Sequence, residues 1–176
     1  AQDELVHVNH DTALQTLEKA LSYDRNNVRV MMLIGDAMMA KGDTEGALSA
    51  WRRVEQQSAP HVALVAQRLM DGYRTVGRAR EGVNLLKTYL AEASSIDLLE
   101  VAFKAVLELD GPDIANQLVA DELRRTPTLL GLDKLIEARL MYAPPEGRAE
   151  LSLVKGLVGG YAQKLARYRC SHCGFK

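Results

Sequence analysis

Apolar side chains recur at helical spacing along this chain, and the pattern is clearest between residues 28 and 58. Met31, Ile34, Gly35 and Met38 follow the i, i+3, i+4, i+7 spacing of a helix with one apolar face. Gly35 lies within that face, where the missing side chain lets a partner helix approach closely. Sustained strand-like alternation of apolar and polar residues does not occur. The pattern predicts an all-α fold.

A tight turn and a second helix are predicted to follow the first helix. Gly42 can adopt the left-handed conformation that ends many helices, and Asp43 suits the N-cap of the next one. Ala47, Trp51 and Val54 then form a second apolar face. This segment therefore predicts two antiparallel helices joined by a short turn.

The helix pair repeats along the chain, because a small or apolar residue recurs in the second helix at intervals of 32 to 36 positions. Leu17 and Ala20 also stand 34 positions before Trp51 and Val54. Such a period is typical of an α-solenoid of helix pairs, which is the predicted architecture. The recurring residues are Ala13, Ala47, Val83, Ala115 and Ala149.

The turns of the later repeats are marked by Gly and Pro. Gly77 is predicted to end the first helix of the third repeat. Gly111 and Pro112 mark the fourth turn, where Pro112 suits a first helical position, and residues 143–147 mark the fifth. The first repeat supplies only its second helix, which is predicted from about residue 11 to residue 21.

Composition excludes several protein classes. The 47% hydrophobic content and net charge of −1 are unlike those of a disordered chain, and they supply no field favouring nucleic acid. No stretch approaches the roughly 20 consecutive apolar residues that a membrane span needs. The sequence also lacks a Gly-rich phosphate loop, His-Glu-x-x-His and Gly-x-Ser-x-Gly. The chain is therefore predicted not to be an enzyme.

Both cysteines lie near the end of the sequence. Cys170 and Cys173 are separated by two residues and are followed by Gly174. Two thiolates at this spacing can bind one metal ion, and the glycine lets backbone N–H groups approach the sulfurs. A redox pair or incidental thiols are the alternative. The spacing favours half of a tetrahedral metal site.

A partner-binding surface is predicted on the first helix of the second repeat. Met32 and Met39 stand one residue after the core positions Met31 and Met38, so they are expected to face a groove. Methionine is flexible and polarizable, which suits contact with varied partners. With Asp36 they form the predicted partner-binding set: Met32, Asp36 and Met39.

The helix pair at residues 28–58 resembles the tetratricopeptide repeat. That family has Leu-Gly and Tyr in its first helix, then Ala and an aromatic residue in the second, and a terminal Pro. The matching residues here are Met31, Ile34, Gly35, Met38, Ala47, Trp51, Val54 and Pro60.

Repeats that run directly into Tyr-Arg-Cys-x-x-Cys-Gly-Phe at residues 168–175 resemble the lipopolysaccharide assembly protein B family of Gram-negative bacteria. Residues 30–42 and 123–128 look similar to that family as well. The resemblance covers essentially all of this chain, but only the C-terminal part of such a protein. It implies a tetratricopeptide-repeat solenoid at residues 1–166, with about four and a half repeats, and the first half of a rubredoxin-like metal ribbon at residues 167–176.

In that family the ribbon binds iron or zinc through two Cys-x-x-Cys pairs. The resemblance implies that Cys170 and Cys173 are the first metal-binding pair. The second pair is expected beyond Lys176, so the site is expected to be empty or incomplete within these residues.

The resemblance also implies a non-catalytic adaptor at the cytoplasmic face of the inner membrane, held there by an N-terminal anchor that precedes these residues. Such adaptors regulate lipopolysaccharide synthesis by promoting degradation of the LpxC deacetylase by the FtsH membrane protease. Two alternatives stay open. One is the repeat arm of an N-acetylglucosaminyl transferase-like protein, and the other is a generic scaffold in envelope assembly.

Overall fold

The computed structural model describes residues 10–56 and 59–164, and this part of the chain is helical without a strand. The all-α fold predicted from the sequence is confirmed. No helix within these residues is long and apolar enough to cross a membrane. A 3-10 helix, Ala59–Leu64, separates α3 from α4. The α-helices are α1 (His10–Tyr23), α2 (Val28–Ala40), α3 (Thr44–Arg52), α4 (Ala66–Thr75), α5 (Ala79–Glu92), α6 (Ile96–Asp110), α7 (Pro112–Arg125), α8 (Leu129–Leu140) and α9 (Pro145–Ala162).

The helices form two compact units, one ending at Gly82 and the other starting at Val83. In the first unit α1 packs on α2, α2 on α3, and α3 on α4. In the second unit α6 packs on α7, α7 on α8, and α8 on α9. These helices therefore pack mainly against their neighbours along the chain, as helical repeats do.

Trp51 is the largest side chain in the core of the first unit, and it is 2% exposed. A Cβ added to Gly35 would lie 2.2 Å from the Trp51 Nε1 atom, so the close approach predicted at this glycine is confirmed. The indole N–H donates to the Met32 carbonyl at 3.2 Å. Gly72 of α4 has a similar role, since a Cβ there would lie 2.8 Å from Leu48 Cδ2. Glycine thus sets the spacing of α2 and α4 from α3.

The turns after α2 and α4 have the same construction. Gly42 and Gly77 have φ angles of +83° and +73°, the left-handed region that glycine enters without strain. After α2, the Gly42 N–H donates to the Met39 carbonyl, and the Asp43 N–H donates to the Met38 carbonyl, each at 3.0 Å. These two bonds satisfy carbonyls that the helix end leaves free. The predicted turns at both glycines are confirmed.

The core of the second unit is built from apolar faces of consecutive helices. Gly111, with φ +84°, precedes Pro112, which is the first residue of α7 as predicted. The Val83 and Ala115 repeat positions are both buried. Other buried side chains here are Leu86, Tyr89, Leu90, Leu98, Leu99, Ala102, Phe103, Val106, Val119 and Ile136.

Two predicted repeat positions, Ala13 and Leu17, are half-buried, and two others are exposed. Ala20 in α1 and Ala149 in α9 are exposed, whereas the equivalent Val54 and Ala115 are fully buried. Among the described residues, α1 packs mainly against α2, and α9 packs mainly against α8. A helix with one main neighbour buries only one side, which explains why the repeat pattern is not matched by burial there.

Candidate functional site and relatives

The three predicted groove residues lie on α2, which begins after Asn27. The Asn27 side chain caps the helix by accepting a hydrogen bond from the Val30 N–H at 3.1 Å. Met32, Asp36 and Met39 are spaced i, i+4, i+7, so they lie on one side of the helix, and all three are half-buried. The predicted set is therefore brought together on one surface.

The distinction drawn between core and groove methionines holds only in part. Met31 is 2% exposed and belongs to the core, as predicted. Met38 is half-buried, as Met39 is. Met38 lies in the last turn of α2, which ends at Ala40. The prediction of a core position for Met38 is therefore correct only in part.

Asp36 is not a free carboxylate, because Arg68 of α4 binds it with two hydrogen bonds. Arg68 Nε donates to Asp36 Oδ1 at 2.7 Å, and Nη2 donates to Oδ2 at 3.0 Å. Arg68 Nη1 also donates to the Leu64 carbonyl at 3.3 Å. This bidentate pair joins the first helices of two successive repeats. Arg68 was missed in the sequence, although its separation of 32 positions from Asp36 is close to one repeat length.

Polar contacts continue along α4 beside this pair. Asp71 accepts hydrogen bonds from Gln67 at 2.8 Å and from Arg74 at 3.2 Å. We define the α2–α4 face as Met32, Asp36, Met39 and Arg68. It combines two polarizable thioethers with an oriented ion pair, a composition suited to binding a protein surface.

A separate cluster surrounds Arg78 after α4. Its guanidinium lies over the Tyr73 ring, 5.5 Å from the centroid, and binds Glu81 at 2.6 and 2.9 Å and Glu45 at 3.0 Å. Hydrogen bonds from Arg78 lower the pKa of the Glu81 carboxyl. An open cleft of about 300 Å³ lies here, with Arg52 also in its lining. Arg78 is paired with both Glu45 and Glu81, so these contacts strengthen the turn after α4.

The predicted metal ligands Cys170 and Cys173 lie outside the described residues. The predicted boundary between residues 166 and 167 lies outside them too. Within residues 10–56 and 59–164 there is no group of three or more His, Cys, Asp or Glu side chains that could hold a metal ion. The metal site therefore stays a prediction.

Comparison with known families and structures gives the same fold. The tetratricopeptide repeat family matches residues 9–69. The crystal structure of MamA superposes with a TM-score of 0.53 at 16% identity, covering 94% of this chain and 96% of that one. The MamA RS-1 ArsTM double mutant superposes with a TM-score of 0.54 at 13% identity, covering 93% of each chain. The predicted solenoid of tetratricopeptide-type helix pairs is confirmed.

Curated relatives cover nearly the whole chain. Lipopolysaccharide assembly protein B of Escherichia coli K12 is 32% identical over 168 residues, which are 94% of this chain and 43% of that protein. The Haemophilus influenzae protein of the same name is 24% identical over 165 residues, 91% of this chain and 41% of that protein. The chain thus spans less than half the length of these relatives. Over the part that it spans, the family relationship to lipopolysaccharide assembly protein B is confirmed.

Proposed function

We propose that this chain is part of a non-catalytic, protein-binding adaptor in lipopolysaccharide assembly. The α2–α4 face carries the proposal, because it presents Met32 and Met39 beside an ion pair that joins two repeats. The tetratricopeptide-type fold and the name of the relatives support the same function. The α2–α4 face would bind a protein partner.

The mechanism is recognition by a surface ordered in advance. The two hydrogen bonds between Arg68 and Asp36 fix both side chains, so less side-chain entropy is lost when a partner binds. The half-buried thioethers of Met32 and Met39 can adapt to an apolar side chain of the partner. The fixed ion pair at the centre would give specificity. The adaptable methionines on either side of it would tolerate different apolar side chains of the partner.

The proposed partners are an FtsH-type membrane protease and an LpxC-type deacetylase, at the cytoplasmic face of the inner membrane. The support is the relationship to lipopolysaccharide assembly protein B. In this role the adaptor would bring the deacetylase to the protease and so limit lipopolysaccharide synthesis. The peptide-bond chemistry would belong to the protease.

We also propose that Cys170 and Cys173 bind iron or zinc together with a second cysteine pair. Two thiolates followed by Gly174 are the donor set that such sites use. The bound metal would supply structural cross-linking. In this chain the two cysteines would provide half of the thiolates that hold it.

The test of the α2–α4 face is binding of the purified full-length protein to purified protease and deacetylase. We expect M32A/M39A to weaken binding at least about tenfold, or about 1.4 kcal/mol. Met141→Ala is the matched control, because Met141 is a methionine of α8's end that is 50% exposed and lies outside this face. It should leave affinity unchanged.

The outcomes separate the parts of the proposal. Equal affinity of wild type and M32A/M39A would remove the face from the proposal but keep the partners. Absence of binding by the wild type would remove the two partners. Equal capture of unrelated envelope proteins by all variants would point to a generic scaffold, and sugar transfer by the full-length protein would point to the transferase-like alternative.

A further inference from the structure

A pocket of about 170 Å³ opens in the second unit, where the start of α6, the end of α7 and the start of α8 meet. Its outer residues carry hydroxyl groups and are exposed except for Ser95, which is half-buried, and its inner residues are aliphatic or acidic. The outer set is Ser94, Ser95, Thr126 and Thr128, and the inner set is Ile96, Leu99, Glu122, Leu123 and Leu130.

Glu122 is the polar group of the inner set, and it is only 6% exposed. Its Oε2 atom lies 3.3 Å from Arg125 Nη2, but that nitrogen also donates to the Leu90 carbonyl at 2.6 Å. Within the described residues Glu122 Oε1 is buried and has no hydrogen-bond partner. A buried carboxylate oxygen without a hydrogen-bond donor is unfavourable, because it has lost water and gained no partner. The pocket therefore favours a ligand that donates a hydrogen bond to Glu122 Oε1.

The hydroxyl groups around the pocket can contribute further acceptors. Thr128 Oγ1 accepts from the Gly131 N–H at 2.9 Å, and Ser95 Oγ accepts from the Leu98 N–H at 3.5 Å. A hydroxyl oxygen has two lone pairs, so each of these caps can accept one more hydrogen bond. The pocket thus offers a negative charge within and neutral acceptors at its opening.

The walls are held by close packing. A Cβ added to Gly131 would lie 2.9 Å from both Leu123 Cδ1 and Thr128 Oγ1. The start of α8 consequently cannot carry a larger residue at this position without displacing a wall of the pocket. Leu99, at 3% exposed, belongs to the core on which the pocket rests.

We infer that this pocket binds the side chain of a lysine from a protein partner. The aliphatic walls match the four methylenes of lysine, and its ammonium has three donors for Glu122 Oε1 and the hydroxyls. Arginine fits less well, because its fork needs both carboxylate oxygens and Arg125 lies against Oε2. One carboxylate is also too few for a divalent cation.

This inference deepens the proposed adaptor function and rests on it, since the lysine would belong to a protein that the adaptor binds. It adds a second contact region with a chemistry unlike that of the α2–α4 face. The second unit would recognise a basic side chain of the partner rather than an apolar one.

The test is an NMR titration of the full chain with Nα-acetyl-lysine methylamide, with Nα-acetyl-norleucine methylamide as the uncharged probe. We expect saturable shifts of the backbone amides at residues 94–99 and 126–131 with the lysine probe only. E122Q should weaken this binding at least about tenfold. Glu150→Gln, at an exposed carboxylate of α9, is the matched control and should bind normally.

Equal shifts with both probes, or none, would overturn the inference and leave the pocket to ordered water. Unchanged binding by E122Q would overturn it as well. Because E122Q changes a buried residue, the rim variant T126V tests the same site at an exposed position and should weaken binding by a smaller factor. If the lysine probe causes no NMR shifts and the E122Q variant still binds the protein partner, the lysine pocket is rejected and the adaptor function is kept.

Discussion

The packing of α2 on α3 depends at the residue scale on the absent side chain of Gly35. We predict that Gly35→Ala lowers the free energy of unfolding by about 1–3 kcal/mol, because the new Cβ would overlap the Trp51 ring. Urea denaturation followed by circular dichroism measures the loss. Gly156→Ala in α9 is the matched control, since a Cβ there has open space around it. That change should raise stability by about 0.5–1 kcal/mol, and equal effects of the two substitutions would contradict the steric explanation.

What the sequence can predict at this scale depends on how far apart the interacting residues are. The closeness of Gly35 to another helix follows from its place in an apolar face, which a local pattern shows. The bond between Asp36 and Arg68 joins side chains 32 positions apart. The unpaired oxygen of Glu122 depends on three helices meeting. Such contacts are set by packing, so composition and spacing do not reveal them.

At the element scale, the turns after α2 and α4 carry a prediction about backbone strain. Gly42→Ala should lower stability by about 1–2 kcal/mol, because φ is +83°, a backbone conformation that is strained for a residue with a Cβ. The added Cβ would meet nothing within 4 Å, so a steric clash does not contribute. Gly42→Asn should cost less, since asparagine tolerates this conformation. Both are measured by thermal unfolding. If the two variants lose the same stability, the backbone conformation is not the cause.

The contact between α6 and α8 carries a prediction about pH. Glu100 binds Lys104 at 3.0 Å and lies 3.6 Å from Lys134, and chiefly the hydrogen bond from Lys104 lowers its pKa below the ordinary value of 4.5. A carboxyl group whose pKa is lower in the folded than in the unfolded protein stabilises the fold fully when the pH is above its unfolded-state pKa. This stabilisation is lost as the pH falls through its folded-state pKa.

We therefore expect Glu100→Gln to be less stable than wild type at pH 7 and to show a flatter loss of stability between about pH 5 and pH 3. Unfolding by urea at a series of pH values measures this. Glu150→Gln is the comparison, because its carboxylate is exposed on α9. Parallel pH profiles for wild type and E100Q would show that this carboxylate does not contribute.

Element positions were predictable from the sequence where end signals are local. Gly42, Gly77 and Pro112 mark helix ends in the sequence and in the structure. The period predicts that Ala20 and Ala149 are buried, but both are exposed. Burial needs a second neighbouring helix, and the repeat pattern does not show where neighbours are present. Periodicity therefore predicts the elements better than it predicts their surroundings.

For the whole molecule, the balance of charges predicts solution behaviour. The net charge is −1 at pH 7 and the sequence pI is about 6.5, so repulsion between molecules is weak near neutral pH. We expect solubility to be lowest near pH 6.5 and to rise at pH 8.5. Turbidity of concentrated protein across this range measures it. A minimum far from the pI would indicate that apolar contacts, not net charge, control association.

The exposure of α9 has a consequence for where hydrogen exchange begins. Leu157 and Tyr161 are 60% and 67% exposed, so burial holds this helix on one side only. Gly156 and Gly160 add backbone freedom in its last turns, which favours the open chain. Local opening starts where the fewest contacts must break. Amide protons of α9 should therefore be replaced by deuterium before those of α3 and α6.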